Sequence, residues 1–384
     1  MRRLLDDASL ISHLTNCMEP ALSALAHDQT VHADLNPPQP QVSFDPAIHL
    51  AFNANDIERV TMSSLGLDPG IALTNFAYSQ PFRLLSPEGV RQARVELTRR
   101  EVQQKCRWAT KRNPYALRGM WKYSNFLHDL WKSPQIKAAL SHVANYPIIL
   151  NPLDWELAHI NVQLDDSVPH AFNPPWAVTQ NLEATLRPEH VKSPAATFKS
   201  DFSTQHYSDE FDAARIQEMA DPEAYFDFWH VDDYPFVCIV MLSDPSGFKG
   251  GETVMRNNRG ELHKLQFPEA GYAILLQGRY VIHCGRRAFD VSERICMIPS
   301  FLPEDVLAKD TTILNAAKGN SDHRELFEQW STYRIDRFRR KVAQLEAKML
   351  REIEEGRFDR DRTLAMLDDW IDDLQHTRSE LSWP

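Results

Sequence analysis

The period of apolar positions changes several times along this chain, and each change marks an element. Residues 4–26 carry a short helical pattern. A Pro-rich stretch from Asn36 through Pro40 has little pattern and reads as a linker or extended arm. From Ser86 the spacing is helical to about Cys106, with Ser86 suited to the N-cap and Pro87 to the first turn. Ser124 to Trp131 predicts a second helix, and Ser133-Pro134 opens a third that reaches about Val143. Pro147 and Pro152 close this helical stretch. Period two then appears in Trp155 to Leu164 (WELAHINVQL), which predicts a strand. One of its faces carries Glu156, Ala158, Ile160, Val162 and Leu164. The other carries Trp155, Leu157, His159, Asn161 and Gln163, either a wet sheet face or the lining of a polar pocket.

Residues 165–225 hold several prolines and little period, and read as a long insertion with a short helix near Asp212 to Ala220. From Phe226 to Phe301 short apolar runs alternate with turns, at Pro245-Ser246-Gly247, Asn257-Asn258-Arg259-Gly260, Gln277-Gly278 and Gly285. The candidate strands are Tyr234 to Leu242, Glu252 to Arg256, Tyr272 to Leu276, Tyr280 to His283 and Arg294 to Ile298. Strands of this length and spacing predict a sandwich or jelly roll. Past Pro303 the pattern is helical again, from His323 to about Ile353 and from about Thr363 to Leu374. The fold class is therefore α+β, a jelly-roll core with N-terminal and C-terminal helices packed around it. The expected division is an N-terminal helix and arm at 1–60, a helical lead-in with the strand-rich core at 61–303, and a C-terminal helical extension at 304–384. The extension is expected to cover the outside of the barrel, or to form a homodimer contact.

Bulk properties narrow the partners. The 384 residues carry a net charge of -11, which disfavours a phosphate backbone as partner. The basic run Arg334 to Lys341 reads as one solvated helix face. Five scattered cysteines, an odd number without a C-x-x-C pair, argue against a disulfide framework and a structural zinc site. Met1 to Leu14 contains Asp6 and Asp7 and makes a poor signal peptide, and no apolar run is long enough to span a membrane. The expectation is a cytoplasmic protein, monomer or homodimer.

The chemistry concentrates in Trp229-His230-Val231-Asp232. Residues two apart on an extended chain point the same way, so His230 and Asp232 can grip one metal together. His283, at the end of Tyr280-Val281-Ile282-His283, supplies a third ligand. Two imidazoles and one carboxylate on one side of a metal leave the remaining positions open. His32-Ala33-Asp34 repeats the spacing beside no strand, so His-x-Asp alone decides nothing. Arg294 adds to it, eleven residues after His283, at the start of a strand. An arginine pointing into a barrel needs a carboxylate to meet it, and its planar fork suits one end of a dicarboxylate. Trp229 and Tyr234 flank the metal residues as packing, and Arg118 reads as a surface position, with a partner for a substrate carboxylate as the alternative.

His-x-Asp, then His, then Arg on a strand-rich segment resembles the iron(II)/2-oxoglutarate oxygenase superfamily, from about Trp155 to Phe301. Gly250-Gly251-Glu252-Thr253 and His283-Cys284-Gly285 are also typical of it. The resemblance implies a double-stranded β-helix core, with iron(II) held by His230, Asp232 and His283, the distal carboxylate of 2-oxoglutarate on Arg294, and O2 as the oxidant. It also implies His159, Asn161 and Gln163 as substrate residues. Many members have a hydroxyl residue two positions after the arginine, where this chain has Cys296. Collagen-type prolyl hydroxylases carry lysine in place of Arg294, and the halogenases of this class lack the carboxylate that Asp232 provides. Ser124-Asn125-Phe126-Leu127, Ser133-Pro134 and the His159 strand together look like fungal small-molecule oxygenases, among them amino-acid oxidisers that include an aziridine-forming enzyme, which implies a small-molecule substrate such as a free amino acid or a secondary-metabolite precursor. The alternatives are an oxygenase of protein or peptide side chains, a non-catalytic jelly-roll metal binder, and a zinc hydrolase, which leaves Arg294 unexplained.

Overall fold

Ser86, Ser124 and Ser133 each start a helix, as their N-cap chemistry requires. Their hydroxyls accept from the backbone N–H of Gly89 at 3.0 Å, Leu127 at 3.1 Å and Ile136 at 3.1 Å. The helices are α1 (Pro87–Thr98), α2 (Asn125–Lys132) and α3 (Pro134–Ala144). The predicted run to Cys106 breaks at Arg99, whose ψ of 138° leaves the helical region, and a separate short helix follows. This computed structural model describes residues 42–109, 115–165, 180–181, 225–319 and 321–382. The predicted N-terminal helix, the arm with its His32/Asp34 pair, and the helix at 212–220 lie outside the described residues.

The strands that matter for the site are β1 (Phe76–Ser79), β2 (Ala116–Leu117), β3 (His159–Leu164), β4 (Tyr225–His230), β5 (Phe236–Met241), β6 (Thr253–Arg256), β7 (Leu262–Leu265), β8 (Tyr272–Leu276), β9 (His283–Arg286) and β10 (Glu293–Ile298). The larger sheet runs β1-β8-β5-β10-β3-β2, and a four-stranded sheet runs β7-β6-β9-β4, each neighbouring pair antiparallel. The central strands of the larger sheet are buried on both faces, so they read as continuous apolar runs rather than as alternation. Cys238, Val240, Ile295, Met297, Ile160 and Val162 pack against α1, α2 and α3. Val237, Ile239, Met241, Ile274 and Cys296 form the opposite face, and they meet Met255 and Leu265 of the smaller sheet in a second core. The two sheets thus enclose one interior.

Two strands differ from the sequence reading. The strand predicted from Trp155 begins only at His159. Asp154–Glu156 is a 3-10 turn, and Ala158 takes φ 48°, a left-handed conformation that breaks the alternation. His283 begins a strand rather than ending one. The carbonyl of Gln277 accepts from both Tyr280 (2.9 Å) and Val281 (3.1 Å), and this tight turn keeps Tyr280 to Ile282 out of the ladder.

The C-terminal extension shares the inner core through Leu314, Leu326, Trp330 and Tyr333. Its helices are α4 (His323–Glu354) and α5 (Arg360–Leu381), the latter longer than predicted at both ends, with Asp359 fixing its start by accepting from the backbone N–H of Asp361 and Arg362. The basic run is not one solvated face. Arg334, Arg337 and Lys341, spaced three and four apart, lie on the inward side of α4 and are buried. Arg334 binds Asp310 at 2.7 Å, Arg337 donates to the carbonyl of Ala308 at 2.6 Å, and Lys341 meets Asp369 and Asp373 of α5. Asp310 is fully buried and also accepts from Tyr333 and Thr312. Burial opposes its ionisation, but Arg334 and Arg337, with the hydrogen bonds from Thr312 and Tyr333, together outweigh burial and hold it below its ordinary range. Asp310→Ala would take the buried carboxylate from Arg334 and Arg337 and leave Arg334 only the more distant Asp373, at 3.4 Å. Denaturant unfolding should show a loss of about 3–5 kcal/mol, and a loss near that of an exposed pair would refute the network's role.

On the outer side of α5, Leu364, Leu367, Ile371 and Leu374 are 40–51% exposed at helical spacing, the face on which the expected homodimer contact would fall. No helix among the described residues is long and apolar enough to cross a membrane.

Candidate metal centre and the inner wall

His230 is the last residue of β4, and His283, the first of β9, is its direct cross-strand partner. Their ring centroids are 4.4 Å apart. Asp232 follows in the loop before β5 and reaches both: its carboxylate oxygens lie 3.5 Å from Nε2 of His230 and 3.5 Å from Nε2 of His283. One ligand atom from each residue falls within 4.8 Å of the others, a span one metal ion can bridge.

Three observations test whether these residues fit a metal. Each histidine is fixed by the carbonyl two residues before it. Nδ1 of His230 donates to Phe228 at 2.5 Å, and Nδ1 of His283 donates to Val281 at 2.9 Å. A carbonyl can only accept, so Nε2 is the nitrogen left to coordinate, and it is the one that faces Asp232. Oδ2 of Asp232 is buried without a hydrogen-bond partner, an arrangement that a cation would relieve. The donor set itself, two imidazoles and a carboxylate, suits iron(II) with open positions.

The two imidazoles have different electrostatics. Burial pushes His230 down, but Asp227, Asp232 and the Phe228 carbonyl outweigh burial and hold it up, to about 10. His283 is held below its ordinary range, by burial first and by His230. A metal would therefore have to displace a proton from His230.

Asp232 is held by a residue that the sequence offered only as a turn. Its backbone N–H donates to the carbonyl of Gly278 at 2.8 Å. A Cβ built on Gly278 would overlap Oδ2 of Asp232 and stand 2.7 Å from its Cγ. Asp233 is fixed from the other side. Its carboxylate accepts from Ala316 at 3.1 Å and Ala317 at 2.8 Å, which ties the metal loop to the C-terminal extension.

The expected co-substrate and substrate residues sit on the facing sheet. Arg294 of β10 is 4% exposed. Its Nε donates to the carbonyl of Gly251 at 3.3 Å, and its guanidinium lies 5.8 Å from the ring centre of Phe226. Among the described residues no carboxylate forms an ion pair with it. Gln163 is opposite Arg294, but its amide is engaged at both ends by the backbone of Ala288, with Nε2 donating at 2.5 Å and Oε1 accepting at 3.1 Å. It serves as a clip for the strand that follows β9, so its amide is not offered to a substrate. Asn161 and His159 follow toward the other end of β3, and Nδ1 of His159 is buried without a partner. Arg118 is buried rather than on the surface and is paired with Glu156. Cys296 fills the inner core beside Met241. The signal missed for Glu156 was a lone carboxylate on an otherwise apolar face.

No family model matches the chain, and no curated protein does. Among solved structures, similarity is found to the non-heme alpha ketoglutarate dependent carbocyclase SnoK from nogalamycin biosynthesis. Identity is 12%, the TM-score is 0.37, and the match covers 65% of this chain and 88% of that one. A 2OG-Fe(II) oxygenase family oxidoreductase from Burkholderia pseudomallei matches at 11% identity and TM-score 0.32, over 56% of this chain and 79% of that one. IDO from Bacillus thuringiensis matches at 19% identity and TM-score 0.18, over 20% of this chain and 39% of that one, so the chain spans well under half of it. Similarities at this level carry no functional weight, and the chemistry of this chain rests on its own residues.

Proposed function

We propose that this protein is an iron(II)- and 2-oxoglutarate-dependent oxygenase on a double-stranded β-helix, which oxidises a C–H bond of a small molecule with release of succinate and CO2. The observation that carries the reading is a juxtaposition. A His-Asp-His cluster with both Nε2 atoms turned inward lies on one sheet, and a buried arginine without a described counter-carboxylate lies on the facing one. Uncompensated buried cations are costly, so Arg294 calls for an anion beyond the described residues, which a co-substrate carboxylate would supply.

His230, Asp232 and His283 would hold the iron, and Arg294 would take the distal carboxylate of 2-oxoglutarate through its planar fork. Bound together, iron and 2-oxoglutarate supply the activation of O2. The protein's own part is positional. The Phe228 and Val281 carbonyls fix the imidazoles, Gly278 leaves room for Asp232, and the inner core of Val237, Ile239 and Met241 excludes water from the interior. Asp232 fills the position that a halide would need, which favours hydroxylation, desaturation or ring closure over halogenation.

The test is anaerobic titration with iron(II) and then 2-oxoglutarate. A weak visible charge-transfer band should appear only when both are present, and succinate should form once O2 is admitted. Zinc(II) gives no such band, so a hydrolase is distinguished in the same cuvette. Absence of the band with iron bound would overturn the reading.

A further inference from the structure

β3 is paired on both sides, and the two registers set its inner side chains in rows. Arg294 lies opposite Gln163. Cys296 lies opposite Asn161, with Ala116 on the far side, and Ile298 lies opposite His159. Carrying the β2 register one pair beyond Leu117 and Ile160 sets Arg118 beside His159, on the same side of the sheet as Ala116. The wall therefore carries two buried arginines at opposite ends, four β3 residues apart or about 13 Å. Arg294 accounts for the co-substrate, which leaves Arg118 without an assigned role.

Arg118 and Glu156 are 8% and 7% exposed as side chains, and the Ser321 hydroxyl donates to Glu156 at 3.3 Å. Glu156 takes one Nη1 hydrogen bond of a group that has five donors, and Nε of Arg118 is buried with no partner among the described residues. Nδ1 of His159 is in the same condition. The registers set His159 next to Arg118 on the sheet that faces the metal residues. Buried donors and acceptors without partners are costly unless something binds them.

We propose that Arg118, Glu156 and His159 form the primary-substrate subsite, and that it takes a small zwitterion, with its carboxylate on Arg118 and its ammonium group on Glu156. This rests on the oxygenase reading and names its substrate class. The charge balance of the wall selects the ligand. The Arg118–Glu156 pair is neutral as a whole, so a lone carboxylate or a lone amine would leave an uncompensated charge in the interior. A molecule with both groups turns one ion pair into two and leaves none over. His159, next to Arg118 and with Nδ1 unpartnered, offers a hydrogen bond on the side that faces the metal residues.

The experiment uses full-length protein loaded anaerobically with iron(II) and 2-oxoglutarate. The common L-amino acids are added one at a time, each beside its deaminated acid and its methyl ester. At least one amino acid should perturb the visible band and raise succinate formation, with its deaminated and ester forms about 100-fold weaker. The double variant Arg118→Gln/Glu156→Gln strands no charge. It should keep the iron and 2-oxoglutarate band while its response to that amino acid weakens about 100-fold. His159→Asn carries the test should the double variant not fold, and is expected to raise KM for the amino acid with the band intact. If no amino acid perturbs a band that forms normally, or if the deaminated acids work equally well, or if the variants respond as wild type does, the subsite is wrong and the oxygenase reading stands. A band that never forms overturns the oxygenase reading instead.

Discussion

Gly278→Ala is expected to cost the protein its metal although no ligand is changed. The turn from Gln277 to Val281 passes so close to Asp232 that any Cβ at 278 overlaps the carboxylate. Asp232 is also tied to this turn through its own backbone N–H, so it cannot give way without losing that hydrogen bond. The side chain must swing, and the distances that let it face His230 and His283 together go with it. Substitutions that disturb the orientation of a ligand typically cost about 10–100-fold in metal affinity. This one acts on the ligand itself and belongs at the upper end. Equilibrium dialysis with iron(II) under argon measures it, with Asp232→Ala as the reference for loss of the ligand. The alanine sits in a turn rather than a ladder, so the melting temperature without added metal should stay close to wild type. Wild-type iron affinity in Gly278→Ala would mean that Asp232 is not held where the structure holds it.

Gly278 also shows where the sequence stops being legible. Local signals were readable: Ser86, Ser124 and Ser133 announce their helices because a cap needs only the next three residues. His230 and Asp232 could be paired because two-residue spacing fixes direction on extended chain. What escaped depends on contacts distant in sequence or on single backbone conformations. Gly278 looked like an ordinary turn because the atom that excludes a side chain belongs to Asp232. Ala158 takes a left-handed conformation that no periodicity reveals, so Glu156 was assigned to an apolar strand face instead of beside Arg118. Arg334, Arg337 and Lys341 read as solvated because their acidic partners lie in two other segments, at Asp310 and at Asp369 and Asp373. Gln163 lies opposite Arg294, yet the backbone of Ala288 consumes its amide.

Arg294→Ala is expected to weaken 2-oxoglutarate binding strongly while leaving iron binding intact, which separates the two halves of the site. The guanidinium lies on the sheet opposite the metal residues and is not among the three candidate ligands. Dialysis with iron(II) should therefore not distinguish the variant from wild type. Loss of one partner from a buried, hydrogen-bonded charge pair costs about 2–5 kcal/mol, which corresponds to a weakening of about 30- to 5,000-fold for the co-substrate. Arg294→Lys sharpens the test, because lysine keeps the charge and loses the fork. If the distal carboxylate is gripped by two parallel N–H donors, lysine should recover only part of the loss. If bare charge is what matters, lysine should recover nearly all of it. Undiminished 2-oxoglutarate binding in Arg294→Ala would leave the buried guanidinium with no role in the reaction, and the reading of the inner wall as a dicarboxylate site would fall with it.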